Sequence, residues 1–378
     1  MATNRRKFLK GSASLALAIQ SSLVIPTSAN PNYRRIAIEE AFVTQAIADE
    51  WGKFIAAGSP GEPGFRKMGE SILADSPGTR LIHSRLVDLG EGRLSSMDAS
   101  GIDMQVISLT SPGVQVFEGQ LAKELAEDAN NQLAAAVERH PDRLAGLAAI
   151  APQLPQDAAI ELDRAASSLG LCGAIINSHT KGEYLDDRKY WPIFEAANAL
   201  KVPIYLHPRA PGPGMVQPYL DYGLYFAGWG FAAETGLHAL RLIMSGVFEE
   251  FPDLKIILGH MGEGIPFYLQ RIDNRYLLQV KIGAVKALKR NPAQYFRDNF
   301  VITTSGVTQS SSLRLCYEEL GPDKILFAAD YPYESVEEAV QFIDTSDLPE
   351  ADKHKIYQSN AERLFGLNRA GPTRTNAE

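Results

Sequence analysis

Eight short apolar runs, each followed by a stretch of helical periodicity, constrain this chain more than any other feature. They are Arg35–Phe42, Met104–Leu109, Leu144–Ile150, Cys172–Asn177, Pro203–His207, Leu254–His260, Phe300–Thr304 and Lys324–Asp330. Regular strand-then-helix alternation predicts a parallel sheet. Eight repeats predict an α/β fold with a single closed (β/α)8 TIM barrel, here spanning residues 30–378. The open, doubly wound alternative lacks its Gly-x-Gly-x-x-Gly turn after the first run. Residues 43–80 are rich in Gly and Pro and read as an irregular N-terminal excursion over one end. Leu81–Ala99 reads as one helix, and C-terminal helices close the chain.

Four of the runs carry an ionisable residue at the end of the strand: Glu39, His207, His260 and Asp330. In a parallel barrel that end carries the active site. Carboxylates mixed with imidazoles suit a divalent ion of the Zn, Mn or Fe kind, and carboxylates also suit Mg. A catalytic ion needs open positions, so three protein ligands suffice. Each residue also has a structural reading. Glu39 pairs with a basic residue, His207 and His260 are hydrogen-bonded core histidines, or Asp330 caps a helix. One shared site accounts for all four ends at once.

The chain has 378 residues, with 45% hydrophobic and 22% charged residues, ordinary values for a soluble globular protein. It has no apolar run of about 18 residues, so no membrane span is expected. Residues 1–29 look like a twin-arginine export signal. Arg5-Arg6-Lys7-Phe8-Leu9-Lys10 precedes a modest apolar stretch and the small residues Thr27-Ser28-Ala29. The expected location is therefore the periplasm or beyond, or the cytoplasm if the signal is not used. That segment holds four basic residues and no acid, so its removal takes the formal charge from -8 to -12. So acidic a protein is a poor partner for nucleic acid. Cys172 and Cys316 form no Cys-x-x-Cys motif and read as two free thiols, although an oxidising compartment permits a bridge.

Four segments carry a resemblance. They are Glu39-Glu40-Ala41-Phe42, Tyr205-Leu206-His207-Pro208-Arg209, Leu258-Gly259-His260-Met261-Gly262-Glu263 and Phe327-Ala328-Ala329-Asp330-Tyr331-Pro332. Together they resemble the metal-dependent decarboxylase branch of the amidohydrolase superfamily, near the 2,3-dihydroxybenzoate and γ-resorcylate decarboxylases. Residues 97–103, 110–115 and 302–306 extend the match, which spans about residues 33–366. Typical amidohydrolases open with His-x-His on the first strand. Here Glu39 stands at the first of those positions and Ala41, which cannot ligate, at the second.

The resemblance implies one divalent ion (Zn, Mn or Mg) held by Glu39, His207 and Asp330, and no other cofactor. It implies non-oxidative decarboxylation of a small, hydroxybenzoate-like aromatic acid, with Asp330 as proton donor. His260 and Glu263 become a pair near the substrate, three residues apart on one helical face. Arg271 is expected beside Asp330, holding it ionised. Tyr331 and Tyr333 either wall the ring or pack in the core, and a homodimer or tetramer is expected. The rival activity is hydrolysis of an amide, ester or lactone by a metal-activated water, which Ala41 disfavours. A ligand-binding barrel without turnover is the remaining alternative.

Overall fold

The computed structural model of this chain describes residues 33–72 and 76–367. The export signal expected in residues 1–29 lies outside the described residues. Among them, eight parallel strands form in chain order: β1 (Ile36–Phe42), β2 (Met104–Leu109), β3 (Leu144–Gly146, resuming as Ala148–Ala149), β4 (Ala174–Asn177), β5 (Ile204–His207), β6 (Ile256–Leu258), β7 (Phe300–Thr303) and β8 (Ile325–Leu326). Each pairs with its sequence neighbour. All eight coincide with the apolar runs. The apolar residues do not alternate with polar ones because helices cover one face and the barrel core fills the other. Every residue of β1 and β2 is buried.

Two breaks in the ladder are bridged by single hydrogen bonds. At the break in β3, the Leu147 N–H reaches the Ile107 carbonyl at 2.9 Å and the Ala148 N–H reaches the Gly173 carbonyl at 2.8 Å. At the seam, the Ile38 N–H donates to the Phe327 carbonyl (3.0 Å) and the Ala41 N–H to the Tyr331 carbonyl (2.7 Å). The cylinder is thereby a (β/α)8 barrel.

The excursion is more ordered than its composition implies. Helices span Gln45–Ala56, Pro63–Ile72 and Pro77–Val87. Gly58 and Gly61, with φ of 87° and 77°, sit between helices rather than within them. Thr44 caps the first helix by accepting the Ile47 N–H, and Ser76 with Thr79 forms a capping box on the third. The single helix expected over Leu81–Ala99 is also two, because Asp88 turns the chain. Its carboxylate accepts the Gly90 N–H (2.7 Å) and the Arg93 N–H (3.1 Å), opening the helix Glu91–Ser100. Both cysteines are free thiols.

The excursion is pinned to the loops at the C-terminal ends of the strands. Arg209, two residues beyond β5, donates to Glu62 at 2.6 Å, and both side chains are almost fully buried. The Trp51 indole donates to the Gly113 carbonyl at 3.0 Å. Behind β4 and β5, the helix Gly230–Ser245 supplies buried His238 and Glu234 to the loops. His238 Nε2 accepts the Leu185 N–H at 3.0 Å, and its Nδ1 meets Ser178 Oγ at 3.2 Å. Glu234 accepts from Ser178, Tyr184 and the Gly212 N–H. The loops after β4 and β5 are thus tied to one helix.

Two stability outcomes follow. Asn130, fully buried, satisfies both main-chain groups of Ala149, donating at 2.8 Å and accepting at 2.7 Å. Asn130→Ala is expected to cost about 2–4 kcal/mol in urea unfolding, since a buried donor and acceptor lose their partner. A change below about 0.5 kcal/mol contradicts this role. Burial pushes the His238 imidazole down to about 3 from 6.5. Its folded-state pKa is depressed, so its contribution to stability is complete above pH 6.5 and fades as pH falls towards 3. Between those limits the wild type should lose stability more steeply than His238→Gln, by up to about 1.4 kcal/mol per pH unit. Parallel stability–pH curves contradict it.

Candidate active site

The four ionisable strand ends converge. Glu39 sits at a bulge in β1: Ile38 pairs with Val106 and Glu40 with Ile107, which leaves Glu39 without a ladder partner at φ 80°. Bulges of this kind re-aim a side chain. The Glu39 carboxylate is turned into the barrel mouth, where Oε2 accepts hydrogen bonds from Thr303 Oγ1 (2.8 Å) and Ser305 Oγ. Oε1 is buried and has no hydrogen-bond partner among the described residues. It faces His207 Nε2 at 3.6 Å and His260 Nε2 at 3.8 Å. His260 Nε2 also faces Asp330 Oδ2 at 3.8 Å.

The tautomers make this arrangement informative. His207 Nδ1 lies 2.8 Å from the Pro208 carbonyl, which can only accept, so Nδ1 carries the proton. Burial pushes the His207 imidazole down to about 4, which keeps it neutral. Its Nε2 lone pair therefore points at the unpaired oxygen of Glu39. His260 Nδ1 meets Glu263 Oε1 at 2.8 Å and donates to it, so its Nε2 is the atom turned towards Glu39 and Asp330. Burial disfavours charge on His260, but the carboxylates of Glu263, Glu39 and Asp330 outweigh it and raise the imidazole well above its usual range. Burial pushes the Asp330 carboxyl up to about 6.

Glu39 Oε1 and His207 Nε2, 3.6 Å apart, stand near the spacing of two ligands on one divalent ion. Two ligand atoms bound at about 2.0–2.2 Å to one ion lie about 3–3.5 Å apart, close to the separations seen. The set is gathered rather than complete, because no three of the His, Cys, Asp and Glu side chains among the described residues already stand in full coordinating geometry. An orphaned carboxylate oxygen facing a neutral imidazole lone pair is the observation that calls for a cation. The second nitrogen of each imidazole is already fixed by a hydrogen bond, as in metal-binding histidines.

Backbone strain is concentrated at the same residues. Glu39, His260, Met261, Glu263 and Asp330 all have positive φ, between 51° and 80°. His260 to Gly264 form one left-handed turn, closed by the Gly262 N–H on the Gly259 carbonyl at 2.7 Å. The His260–Glu263 pair therefore forms as expected, but across a left-handed turn rather than on a right-handed helical face. Such strain costs about 1–3 kcal/mol per residue and persists where neighbours enforce it. Ser305 is one enforcer: its Oγ accepts the His260 N–H at 3.2 Å while donating to Glu39. Gly259 is another, because a Cβ there would lie 2.7 Å from Glu39 Oε1 and 3.0 Å from the Tyr205 hydroxyl.

One sequence expectation fails, and one open reading is decided. Arg271 is not beside Asp330. It lies exposed on the helix Ile265–Lys281, at a surface groove with Leu237 and Tyr268. The charges that act on Asp330 are those of Glu39, His260 and Glu334. Arg271 shares the exposed helical face of Tyr268, three residues before it, which a linear motif does not reveal. Tyr331 does not wall the mouth either. It is 3% exposed, with Arg93 and Arg85 over its ring. Tyr333 does stand at the mouth, 40% exposed, with its hydroxyl 2.8 Å from Thr110 Oγ1. Thr303, Ser305 and Glu40 carry no ligand signature in the sequence, and their roles emerge only from the hydrogen bonds.

Comparison with known proteins agrees with this geometry. The amidohydrolase family model matches residues 78–367. The γ-resorcylate decarboxylase of Polaromonas sp. is 41% identical over 297 residues, covering 76% of this chain and 90% of that protein. A solved 5-carboxyvanillate decarboxylase from Sphingomonas paucimobilis superposes with a TM-score of 0.83 at 42% identity, covering 88% of this chain and 99% of that one. A second, from Novosphingobium aromaticivorans, was solved with manganese and 4-hydroxy-3-methoxy-5-nitrobenzoic acid. It has a TM-score of 0.86 at 40% identity and covers 88% of this chain and 96% of its own. The chain belongs to the amidohydrolase family, on its decarboxylase branch.

Proposed function

We propose that this protein is a metal-dependent, non-oxidative decarboxylase of a hydroxybenzoate-like acid, with Glu39, His207 and Asp330 as metal ligands. The observation that carries the reading is the uncompensated approach of Glu39 Oε1 to the His207 Nε2 lone pair. The solved relative with manganese and a substituted hydroxybenzoic acid supports a divalent ion and an aromatic acid ligand. A bound divalent ion supplies Lewis-acid stabilisation of negative charge on the substrate carboxylate and an ortho oxygen.

The protein's own groups do the rest. The Asp330 carboxyl delivers a proton to the ring carbon bearing the carboxylate, forming the new C–H bond. The C–C bond to the carboxylate then breaks, its electron pair returns to the ring, and CO2 leaves. His260, held by Glu263 through Nδ1, polarises the ring hydroxyl or relays the proton back to Asp330. Thr303 and Ser305 fix Glu39, and Tyr333 borders the ring at the mouth.

Two further proposals concern the whole protein. Residues 1–29 direct twin-arginine export, so that Arg5→Lys with Arg6→Lys retains the protein inside the cell in a fractionation assay. Normal export of that double variant contradicts the proposal. The chain also forms a homodimer or tetramer, supported by the exposed Phe267, Tyr268, Leu277 and Leu278 on one helix. Light scattering of a monomeric particle contradicts this.

The activity is tested by incubating purified protein with 2-hydroxybenzoates and, separately, with lactones and esters. CO2 release from the former is expected, and acid release from the latter alone supports the hydrolase reading. Chelation should abolish CO2 release, and added Mn or Zn should restore it. Asp330→Asn is expected to lower kcat by about 100- to 10,000-fold. Full activity in the stripped protein, or in Asp330→Asn, contradicts the proposed roles.

A further inference from the structure

Glu40 is a buried acid that the chemistry above leaves unused. It is fully buried in β1 beside the bulged Glu39. Its carboxylate reaches across the seam of the barrel. Oε1 accepts the Ala329 N–H at 3.0 Å and Oε2 accepts the Tyr331 N–H at 3.2 Å. Those amides flank Asp330, whose φ of 59° lies in the left-handed region. A non-glycine residue there pays about 1–2 kcal/mol in backbone sterics.

The need for a side chain at this place follows from the bulge. Main-chain bonds join β1 to the last strand at Ile38 and at Ala41, on either side of the bulge. Between them, the Ala329 and Tyr331 N–H groups have no carbonyl of β1 to meet, and the Glu40 carboxylate takes both. The left-handed turn at Asp330 leaves both amides within reach of one carboxylate, one on each oxygen. A third donor, Gln105 Nε2, stands at 3.5 Å. Gln105 Oε1 accepts from Arg93 Nη1 at 3.0 Å. Arg93, fully buried, also donates to the carbonyls of Asp88, Ala41 and Arg85. Burial pushes the Glu40 carboxyl up to about 8, but every group within hydrogen-bond reach of its oxygens is a donor, which favours the carboxylate, and the test below is run above that pH. Glutamine would turn an NH2 towards an N–H, and aspartate is one methylene too short to span both amides.

We propose that Glu40 is a positioning residue whose carboxylate clamps the Ala329–Tyr331 backbone and so holds Asp330 in its left-handed conformation, aimed at the metal-binding side chains. The proposal rests on the metal reading given above. Glu40 touches neither substrate nor ion. It acts through the backbone on either side of Asp330, and Gln105 and Arg93 fix its own orientation.

The test uses metal-stripped full-length protein titrated with Mn(II), with the dissociation constant read from the electron paramagnetic resonance signal of free Mn(II). Folding is followed by near-UV circular dichroism. Glu40→Gln is expected to keep the wild-type near-UV spectrum and to bind Mn(II) about 10- to 100-fold more weakly, with activity recovering at saturating Mn(II). A purely structural role lowers the melting temperature and leaves Mn(II) affinity unchanged. A folded Glu40→Gln with affinity within about twofold of wild type therefore overturns the clamp while leaving the metal reading intact. Wild-type protein that binds no Mn(II) overturns the metal reading and the clamp together. If Glu40→Gln does not fold, Gln105→Met decides. Weaker Mn(II) binding in that folded variant supports the clamp, and wild-type affinity overturns it.

Discussion

At the mouth of the barrel a buried carboxylate oxygen without a short hydrogen bond faces two imidazole nitrogens at 3.6 and 3.8 Å. Among buried polar atoms such an approach is costly unless a cation is shared. The surrounding structure is arranged so that the approach is not relieved. Pro208 takes the proton-bearing nitrogen of His207, and Glu263 takes that of His260. Thr303 and Ser305 occupy only one oxygen of Glu39. Each of these bonds removes an alternative partner and turns the remaining nitrogen or oxygen inward.

Holding those groups in place strains the backbone, and the strain is local. Positive φ recurs at Glu39, at His260 through Glu263, and at Asp330. Three of the strained residues have a specific restraint. The bulge and the hydroxyls of β7 restrain Glu39, Ser305 Oγ holds the His260 N–H, and Glu40 holds the amides around Asp330. The barrel supplies rigid strands, and the bulge and the turns aim the side chains. The loops after β4 and β5 are set from outside by His238, Glu234 and the buried Glu62–Arg209 pair.

Much of this was legible in the sequence, because the physics there is local and periodic. Strands buried on both faces read as unbroken apolar runs, and a histidine ending such a run, as at His207 and His260, has few structural excuses. The same logic found Glu39 and Asp330. Three features were not legible. Gly and Pro in residues 43–80 suggest irregular chain, but they punctuate three helices, two of them capped by side chains. The spacing of His260 and Glu263 suggested a helical face, whereas a left-handed turn brings them together. Arg271 followed the motif by position, yet helix rotation carries it to the surface. Thr303, Ser305 and Glu40 were invisible as actors, since a hydroxyl or a buried acid acquires its role only from partners on distant strands.

The central claim is that groups from β1, β5 and the segment after β8 share a single cation. Anomalous diffraction at the manganese edge, from crystals grown with Mn(II), tests it most directly. One strong peak bonded to Glu39, His207 and Asp330 is the expected result. A protein with no peak at the barrel mouth, or with the ion bound elsewhere while these side chains pair with one another, contradicts the account.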